Sequence, residues 1–323
     1  MNFTPVDNQG RVDGFCLVKT VEQKTSSKGD FYLDFTLGDA DGEINAKLWR
    51  YSETEYGTFK SGDIVKVRGT VSQYNGTDQL RIERIRPALE QDGVKVEDFV
   101  RSAAYSSEQM YNEIINIASS FKDDELKKLV LSVYGDHRLQ LLYWPAAYKL
   151  HHAVRGGLLL HTLSIVKLAE NVCKVYPFVD RELLLTGAML HDISKIEEFI
   201  VNDSGIAEGY SIDGNLLGHL VMGAKKIGEY AEKLKLSPRT ATLVEHMIIS
   251  HHGEPDFGAA VRPMFLEAEL LSELDLMDSR VYEIKEALLS ANEEDFTARL
   301  WSLDNRKLFN HSRTDLKQDP KLF

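Results

Sequence analysis

Residues 181–196 read RELLLTGAMLHDISKI, an apolar stretch that ends in an adjacent histidine and aspartate. Its apolar residues follow helical spacing, and Lys195 comes one helical turn after His191 on the same face. Burying a carboxylate such as Asp192 costs on the order of several kcal/mol unless something compensates its charge. A divalent cation is a natural compensator, so this stretch predicts a helical domain with a metal centre at the end of one helix.

The histidine distribution extends this prediction along the chain. Eight of the ten histidines lie between residues 151 and 252, most of them on or beside segments with helical apolar spacing. Each histidine taken alone would more often be structural, but the set gains weight beside the His191-Asp192 pair and Asp275. Imidazole and carboxylate ligands suit Mn²⁺, Fe²⁺, Co²⁺ or Zn²⁺, and the lack of cysteine in the cluster makes a structural zinc site a poor fit.

In the N-terminal part of the chain, apolar residues recur at every second position instead of at helical spacing. Residues 31–49 read FYLDFTLGDADGEINAKLW, in which apolar and polar residues alternate on either side of a DADG turn. This pattern predicts a β-hairpin, and Asn75-Gly76 marks a second turn further on. Five short strands between residues 13 and 86 predict a small closed barrel, for which the OB-fold is the leading candidate.

We therefore expect a multidomain β plus all-α protein. An N-terminal OB-fold β-barrel would span residues 1–87 and bind nucleic acid, and a linker would span residues 88–104. An all-helical domain with a C-terminal helical extension would span residues 105–323.

The composition of the chain indicates the cellular compartment in which the protein is expected. No apolar run approaches the roughly 18 residues that cross a bilayer, and the first residues do not resemble a signal peptide. The two cysteines, Cys16 and Cys173, are far apart in the sequence, so we expect no disulfide framework, no membrane association and a cytoplasmic protein. The net charge of −12 argues only mildly against a nucleic-acid partner, because basic residues cluster in the predicted barrel.

Aromatic and basic side chains on the barrel predict a single-strand binding face. In the alternating pattern, Tyr32 and Trp49 lie opposite to the core residues and are candidate stacking platforms. Lys47, Lys66 and Arg68 are candidate contacts to the nucleic-acid backbone. An alternative of equal weight is that these aromatics cover the sheet against the helical domain.

The order of the metal-binding residues resembles a known family. The pattern His161, His191-Asp192, His219, His251-His252 and Asp275 is similar to that of the HD-domain phosphohydrolases. The flanking sequences resemble, over almost the whole chain, the YhaM family of bacterial 3′–5′ exoribonucleases, which also carry an N-terminal OB domain. These sequences are AAYKLHHAVRGGLLLHT (146–162), LHDISK (190–195), GHLVMG (218–223), ISHHGEPDFG (249–258), EAELLSELDLMDSRV (267–281) and FTARLWSLDNRKLF (296–309).

The resemblance implies roles for individual residues. His161, His191, Asp192 and Asp275 would hold a core metal ion, His219 and His251 would hold a second ion, and Asp192 would bridge the two. Asp192 and Lys195 would be the catalytic residues, with Lys195 in contact with the scissile phosphate. His246 and His252 could each be a ligand, a phosphate contact or an orienting residue. His152 and Arg155, like His151, could hold substrate phosphates or be structural. The substrate-binding candidates are Lys195, His252, His152, Arg155, Tyr32, Trp49, Lys47, Lys66 and Arg68.

The function implied is a metal-dependent 3′–5′ exoribonuclease with two ions, for which Mn²⁺ is favoured over Co²⁺, Fe²⁺, Mg²⁺ and Zn²⁺. It would release 5′-mononucleotides from single-stranded RNA during RNA turnover, with single-stranded DNA as a further substrate. A homo-oligomer is compatible with the sequence. Two alternatives stay open: an HD-type nucleotide phosphohydrolase, and a non-catalytic OB protein that binds single strands. Departures from the family pattern, at Leu160, Ser194, Leu274 and Leu276, remove none of the proposed ligands.

Overall fold

The computed structural model describes residues 4–5, 10–39, 42–74, 76–100, 102–148 and 154–323. The chain divides into two compact units. The first comprises residues 1–102 together with 202–206, and the second comprises residues 103–201 and 207–323.

The first unit is a closed β-barrel. Its strands are β1 (Thr4–Pro5), β2 (Arg11–Thr25), β3 (Phe31–Gly38), β4 (Glu43–Trp49), β5 (Ile64–Tyr74) and β6 (Thr77–Pro87), with a short helix α1 (Glu53–Tyr56) between β4 and β5. The sheet order is β1-β2-β3-β4-β6-β5, and β2 also pairs with β5, which closes the barrel. All pairings are antiparallel except that of β4 with β6.

The alternation predicted from the sequence places the barrel core. Leu33, Phe35 and Leu37 of β3 are buried together with Ala46 and Leu48 of β4, because every second side chain of a strand points to the same face. Tyr74 and Thr77 pair across the second turn, so a hairpin forms there, although Asn75 itself lies outside the described residues.

The segment after β6 packs on the barrel. Two 3₁₀ turns, Glu90–Asp92 and Val96–Asp98, lead to Phe99 and Val100. These two side chains are buried against Leu17 of β2. Part of the stretch interpreted as a linker therefore continues the barrel, because its apolar residues find a hydrophobic surface there.

The second unit is mainly helical. Its helices are α2 (Ser107–Ser119), α3 (Asp124–Asp136), α4 (Arg138–Leu141), α5 (Gly157–Val175), α6 (Arg181–Leu190), α7 (Lys195–Glu198), α8 (Ile212–Leu234), α9 (Pro238–Ser250) and α10 (Leu266–Leu289). A two-stranded antiparallel sheet, β7 (Phe199–Val201) and β8 (Ala207–Tyr210), follows α7 and was not predicted from the sequence. The core is built mainly from α2, α3, α5, α6, α9 and α10.

Two sequence-based expectations need correction. The C-terminal extension is not helical: after α10 ends at Leu289, the chain forms only one 3₁₀ turn, Trp301–Leu303, and two isolated β-bridges. Several of its residues, among them Asp304 and Asn305, adopt positive φ angles that interrupt a helix. Lys195 does not continue the helix of His191 either, because α6 ends at Leu190 and α7 begins at Lys195.

Among the described residues, no helix combines the length and the apolar character needed to cross a membrane.

The bulge in β5 supplies a test of the barrel. The register of β5 against β6 shifts at Gly69, where a Cβ atom would lie 2.3 Å from the carbonyl oxygen of Arg81. We expect Gly69→Ala to destabilise the barrel by about 1–3 kcal/mol, because the two backbones must separate. Hydrogen–deuterium exchange followed by mass spectrometry should then show roughly 5- to 150-fold faster exchange in peptides from β5 and β6.

Gly135→Ala is the matched control. Gly135 lies in α3, and a Cβ atom there would meet no neighbour within 4 Å. Alanine should stabilise this helix by about 0.5–1 kcal/mol and leave exchange in the barrel unchanged. Unaltered exchange in Gly69→Ala would contradict the close approach of β5 and β6.

Candidate metal centre

Five helices of the second unit bring side chains together around one carboxylate, that of Asp192. His161 lies in the second turn of α5, and His191 caps the C-terminus of α6, directly before Asp192. His219 lies within α8, and His251 follows the last residue of α9. Asp275 lies in the middle of α10. His161, His191, Asp192 and His251 are all less than 3% exposed.

One group of ligand atoms surrounds Asp192 Oδ2. His191 Nε2 lies 3.4 Å and His161 Nε2 lies 3.6 Å from this oxygen. His161 Nε2 lies 3.3 Å from His191 Nε2 and 3.1 Å from Asp275 Oδ1, and His191 Nε2 lies 3.9 Å from Asp275 Oδ1. Ligands that each lie about 2.0–2.2 Å from one ion are roughly 3–3.6 Å apart, so four atoms at these distances fit a single divalent cation.

A second group surrounds Asp192 Oδ1. His219 Nε2 lies 3.4 Å and His251 Nε2 lies 3.7 Å from this oxygen. Nitrogen atoms of His219, His251 and His252 lie within 4.8 Å of one another, a spacing that suits a further metal site. The two oxygens of Asp192 therefore face two different sets of imidazoles.

Unpartnered polar atoms test whether this second group fits a cation. Within the described part of the chain, Asp192 Oδ1, His219 Nε2 and His251 Nε2 are buried and have no hydrogen-bond partner. Each such atom costs about 1–3 kcal/mol when it is buried without a partner. One divalent cation would satisfy all three atoms, so the residues present fit a metal ion.

The five imidazole rings are anchored through the same ring nitrogen. In each of the five histidines, Nδ1 is hydrogen-bonded at 2.7–3.0 Å to an acceptor outside the two ligand groups. The acceptors are Asp278 Oδ2 for His161, the Ala188 carbonyl for His191, Glu198 Oε1 for His219, the Ile248 carbonyl for His251 and the Phe257 carbonyl for His252. Such anchors fix the ring orientation and leave Nε2 as the atom that can bind a metal.

The charges of the cluster are balanced around the two aspartates. Burial raises the pKa of Asp192, but the charges of Lys195 and His191 outweigh it and hold this pKa well below its usual range. Burial also acts on Asp275, yet its hydrogen bond with His161 lowers the pKa of this carboxyl. Both side chains are therefore anionic, as the ligands of a cation must be.

The pKa values of His161 and His251 are shifted in opposite directions. Burial lowers the pKa of His161, but the carboxylates of Asp275 and Asp278 outweigh burial and raise it to about 10. Burial holds the pKa of His251 well below its usual range, so this ring is neutral. In the metal-free protein His161 is therefore protonated, and its cationic ring lies between the carboxylates of Asp275 and Asp278. The positive charge of this ring compensates the two carboxylates there, as a metal cation would.

Lys195 contacts the aspartate directly. Its Nζ lies 2.7 Å from Asp192 Oδ2, and its side chain is only 10% exposed. Burial lowers the pKa of Lys195, but Asp192 outweighs burial and raises it, so the side chain stays cationic.

Three other residues that the sequence suggested for the site are not placed in the two ligand groups. His246 Nε2 accepts a hydrogen bond of 3.0 Å from the Met264 amide, and His246 is not among the clustered ligands. The guanidinium of Arg155 lies over the ring of Tyr143, 5.5 Å from its centroid. His152 lies outside the described residues.

The barrel residues separate into two sets. Tyr32 and Trp49 pair across β3 and β4 with ring centroids 4.5 Å apart, and Lys47 Nζ lies 5.1 Å from the centroid of Tyr32. Lys66 and Arg68 lie on β5, which borders neither β3 nor β4, and both form ion pairs with Asp13. The structure thus brings Tyr32, Trp49 and Lys47 together and places Lys66 and Arg68 elsewhere on the barrel.

Sequence analysis missed Asp278 and Glu198, the two carboxylates that hydrogen-bond to the candidate ligands His161 and His219. Asp278 comes three residues after Asp275 on α10, a spacing that places both on one face of the helix and could have indicated it. Glu198 gave no comparable signal, because its partner His219 lies 21 residues further along the chain.

Comparison with known proteins agrees with this architecture. Residues 17–88 match the OB-fold nucleic acid binding domain, and residues 158–280 match the HD domain. Proteins named 3′-5′ exoribonuclease YhaM are similar over nearly the full length. The proteins from Bacillus subtilis and Bacillus licheniformis are each 32% identical over 299 residues, which are 93% of this chain and 94% of theirs. That from Oceanobacillus iheyensis is 34% identical over 298 residues, 92% of this chain and 93% of its own.

This chain belongs to the YhaM family. The resemblance inferred from the ordered histidines and their flanking sequences is confirmed, as is the prediction of an OB-fold barrel followed by a helical HD domain. For a YhaM-family protein with an HD domain, the buried cluster around Asp192 fits divalent metal binding.

Asp278 supplies a test of the first ligand group. We expect Asp278→Asn to weaken binding of a divalent cation by about 10- to 100-fold, because His161 loses the carboxylate that orients it. Isothermal titration calorimetry of metal-free protein with MnCl₂ measures this affinity. Glu273→Gln removes an exposed carboxylate from the same helix and should leave the affinity unchanged. Equal affinities in Asp278→Asn and Glu273→Gln would contradict the role of Asp278.

Proposed function

We propose that this protein is a metal-dependent 3′–5′ exoribonuclease that hydrolyses single-stranded RNA and releases 5′-mononucleotides in RNA turnover. The observation that carries the proposal is the buried pair of ligand groups on the two oxygens of Asp192. Full-length similarity to proteins named 3′-5′ exoribonuclease supports the substrate class and the direction of digestion. Single-stranded DNA is a further candidate substrate, since stacking and backbone contacts do not require a 2′-hydroxyl.

We assign two metal ions to the centre. His161, His191, Asp192 and Asp275 would hold the first, His219 and His251 would hold the second, and Asp192 would offer one oxygen to each. The spacing of His252 to His219 and His251 makes it a further candidate ligand of the second ion. A ligand set of imidazole and carboxylate without thiolate suits several divalent ions. Among them we propose Mn²⁺, with Co²⁺, Fe²⁺, Mg²⁺ and Zn²⁺ as alternatives.

The chemistry follows from how the chain holds its own groups. Two bound divalent cations would supply a nucleophilic water near neutral pH and offset negative charge at the phosphate. Asp192 offers one oxygen to each ligand group, and Lys195 keeps that carboxylate anionic through an ion pair of 2.7 Å. The second role of Lys195 is to place a positive charge close to the scissile phosphate, where negative charge increases during displacement. The Nδ1 anchors hold the imidazoles in position before substrate binds, which reduces reorganisation during the reaction.

The barrel would hold the single strand. Tyr32 and Trp49 form adjacent aromatic surfaces, Trp49 is 42% exposed, and Lys47 lies beside them. Bases stack on such surfaces with little sequence preference, which suits an enzyme that digests RNA of any sequence. Lys66 and Arg68 are assigned a weaker role as backbone contacts, because β5 borders neither of the strands that carry Tyr32 and Trp49. Arg155 and His152 stay candidates for substrate phosphates.

We propose the domain division that the sequence indicates, with the barrel domain in residues 1–87 and the HD domain with its extension in 105–323. The connecting segment is 88–104, of which Phe99 and Val100 pack on the barrel. We also propose a cytoplasmic location, which two free cysteines support. A homo-oligomer remains compatible with this assignment.

Loss of the bridging carboxylate tests the activity. Asp192→Asn should reduce degradation of a 5′-labelled single-stranded RNA in the presence of Mn²⁺ by at least about 100-fold, because both ligand groups lose a charged oxygen. Asp213→Asn, which neutralises an exposed carboxylate of α8, should retain activity. A descending ladder in the wild type supports the exoribonuclease. Retarded RNA without cleavage would instead indicate a binding protein.

Removal of an aromatic surface tests the barrel. Trp49→Ala should weaken binding of single-stranded RNA about 5- to 150-fold, since stacking of one base contributes about 1–3 kcal/mol. Fluorescence anisotropy of labelled RNA in the presence of a chelator measures binding without cleavage. Phe178→Ala removes an aromatic residue that is 74% exposed in the helical unit, and it should bind RNA normally. Equal binding by both variants would contradict the stacking role of Trp49.

A further inference from the structure

Glu198 connects the end of α7 to the second ligand group. Its side chain is 8% exposed. One of its oxygens, Oε1, accepts two hydrogen bonds from the same residue: one from the backbone amide of His219 and one from His219 Nδ1, each 3.0 Å long. The carboxylate thereby ties the ring of His219 to the backbone amide of the same residue.

The backbone conformation at Gly218 leaves the His219 amide free to donate to Glu198. Gly218 interrupts α8 with φ 68° and ψ 161°, a conformation that favours glycine. The second part of the helix therefore begins at His219, whose amide belongs to the unpaired donors at a helix start. The side chain of Glu198, which belongs to α7, accepts a hydrogen bond from this amide and so caps the second part of α8.

Glu198 is itself fixed by its neighbours. Its carbonyl accepts a hydrogen bond of 2.8 Å from the Ser211 amide. Gly214 approaches so closely that a Cβ atom there would lie 2.3 Å from the same carbonyl. The carboxylate consequently extends from a backbone that is held on the first turn of α8.

The contact determines which nitrogen of His219 can bind a metal. Since a carboxylate only accepts hydrogen bonds, Nδ1 of His219 carries the proton and Nε2 keeps its lone pair. This Nε2 is buried without a partner among the described residues and lies 3.4 Å from Asp192 Oδ1. His251 and His252 are held by backbone carbonyls, whereas a replaceable side chain holds His219.

We propose that Glu198 is a positioning residue for the second metal ion, and that it acts by fixing the orientation and tautomer of His219. This inference rests on the two-ion centre of the proposed function. It implies that the two ligand groups depend on different carboxylates: the first on Asp278 through His161, and the second on Glu198 through His219.

Calorimetric titration of metal-free full-length protein with MnCl₂ tests the proposal without reference to activity. Wild type should show two binding steps. Glu198→Ala should weaken one step by about 10- to 100-fold and leave the other within about threefold. Glu198→Gln retains an oxygen that can accept both hydrogen bonds and should recover most of the affinity.

Two matched variants separate positioning from a general structural effect. Asp278→Asn should weaken the step that Glu198→Ala preserves. Glu197→Ala changes the neighbouring carboxylate, which pairs with Lys226 and lies outside both ligand groups, and it should retain both steps. A single binding step in wild type would overturn the inference. Two unaltered steps in Glu198→Ala, or an equal loss in both, would overturn it as well.

The outcome is distinct from that for the proposed function. Wild-type protein that binds two ions with the predicted dependence on Glu198, but does not shorten RNA, would support the positioning role and contradict the exoribonuclease. Wild-type protein that shortens RNA, with unaltered ion binding in Glu198→Ala, would support the activity and contradict the positioning role.

Discussion

The carboxylate of Asp192 is the group on which the centre depends. It is 2% exposed, and a buried carboxylate costs several kcal/mol unless opposite charge surrounds it. Lys195 compensates one oxygen directly, while the other faces imidazole nitrogens and has no partner in the described chain. The ends of α6 and α9 and the interiors of α5, α8 and α10 must therefore meet at this point. The helical packing is arranged so that a cation can complete it.

Some of the clustered histidines are anchored by backbone carbonyls and others by carboxylate side chains. His191, His251 and His252 donate to carbonyls at the ends of helices or in the loop that follows, so their orientation is a consequence of the local backbone. His161 and His219 donate to carboxylates that come from distant parts of the sequence. Each ligand group thus contains one histidine whose position depends on tertiary packing and at least one whose position depends on a helix end.

In the barrel, strand pairing decides which surface residues act together. Tyr32 and Trp49 are opposite one another in the β3–β4 register, and Lys47 extends beside them. Arg68 is opposite Asp13 in the β2–β5 register and pairs with it. Alternation along a strand identifies outward side chains, but only the order of strands around the barrel shows which outward side chains are neighbours.

The sequence by itself determined the two architectures and indicated the residues that are proposed as metal ligands. Period-two alternation and turn residues indicated the barrel, helical spacing indicated the second unit, and the order of His161, His191-Asp192, His219, His251 and Asp275 indicated the centre. The first two signals are local, because periodicity follows from the geometry of each strand or helix. The third is an order of residues across the chain that resembles a known family. Only the tertiary structure showed that Glu198 and Asp278 hydrogen-bond to two of the candidate ligands, that His246 accepts a hydrogen bond from the Met264 amide, and that the C-terminal extension is not helical. Such facts depend on distances between segments far apart in the chain, and packing angles rather than local periods set those distances.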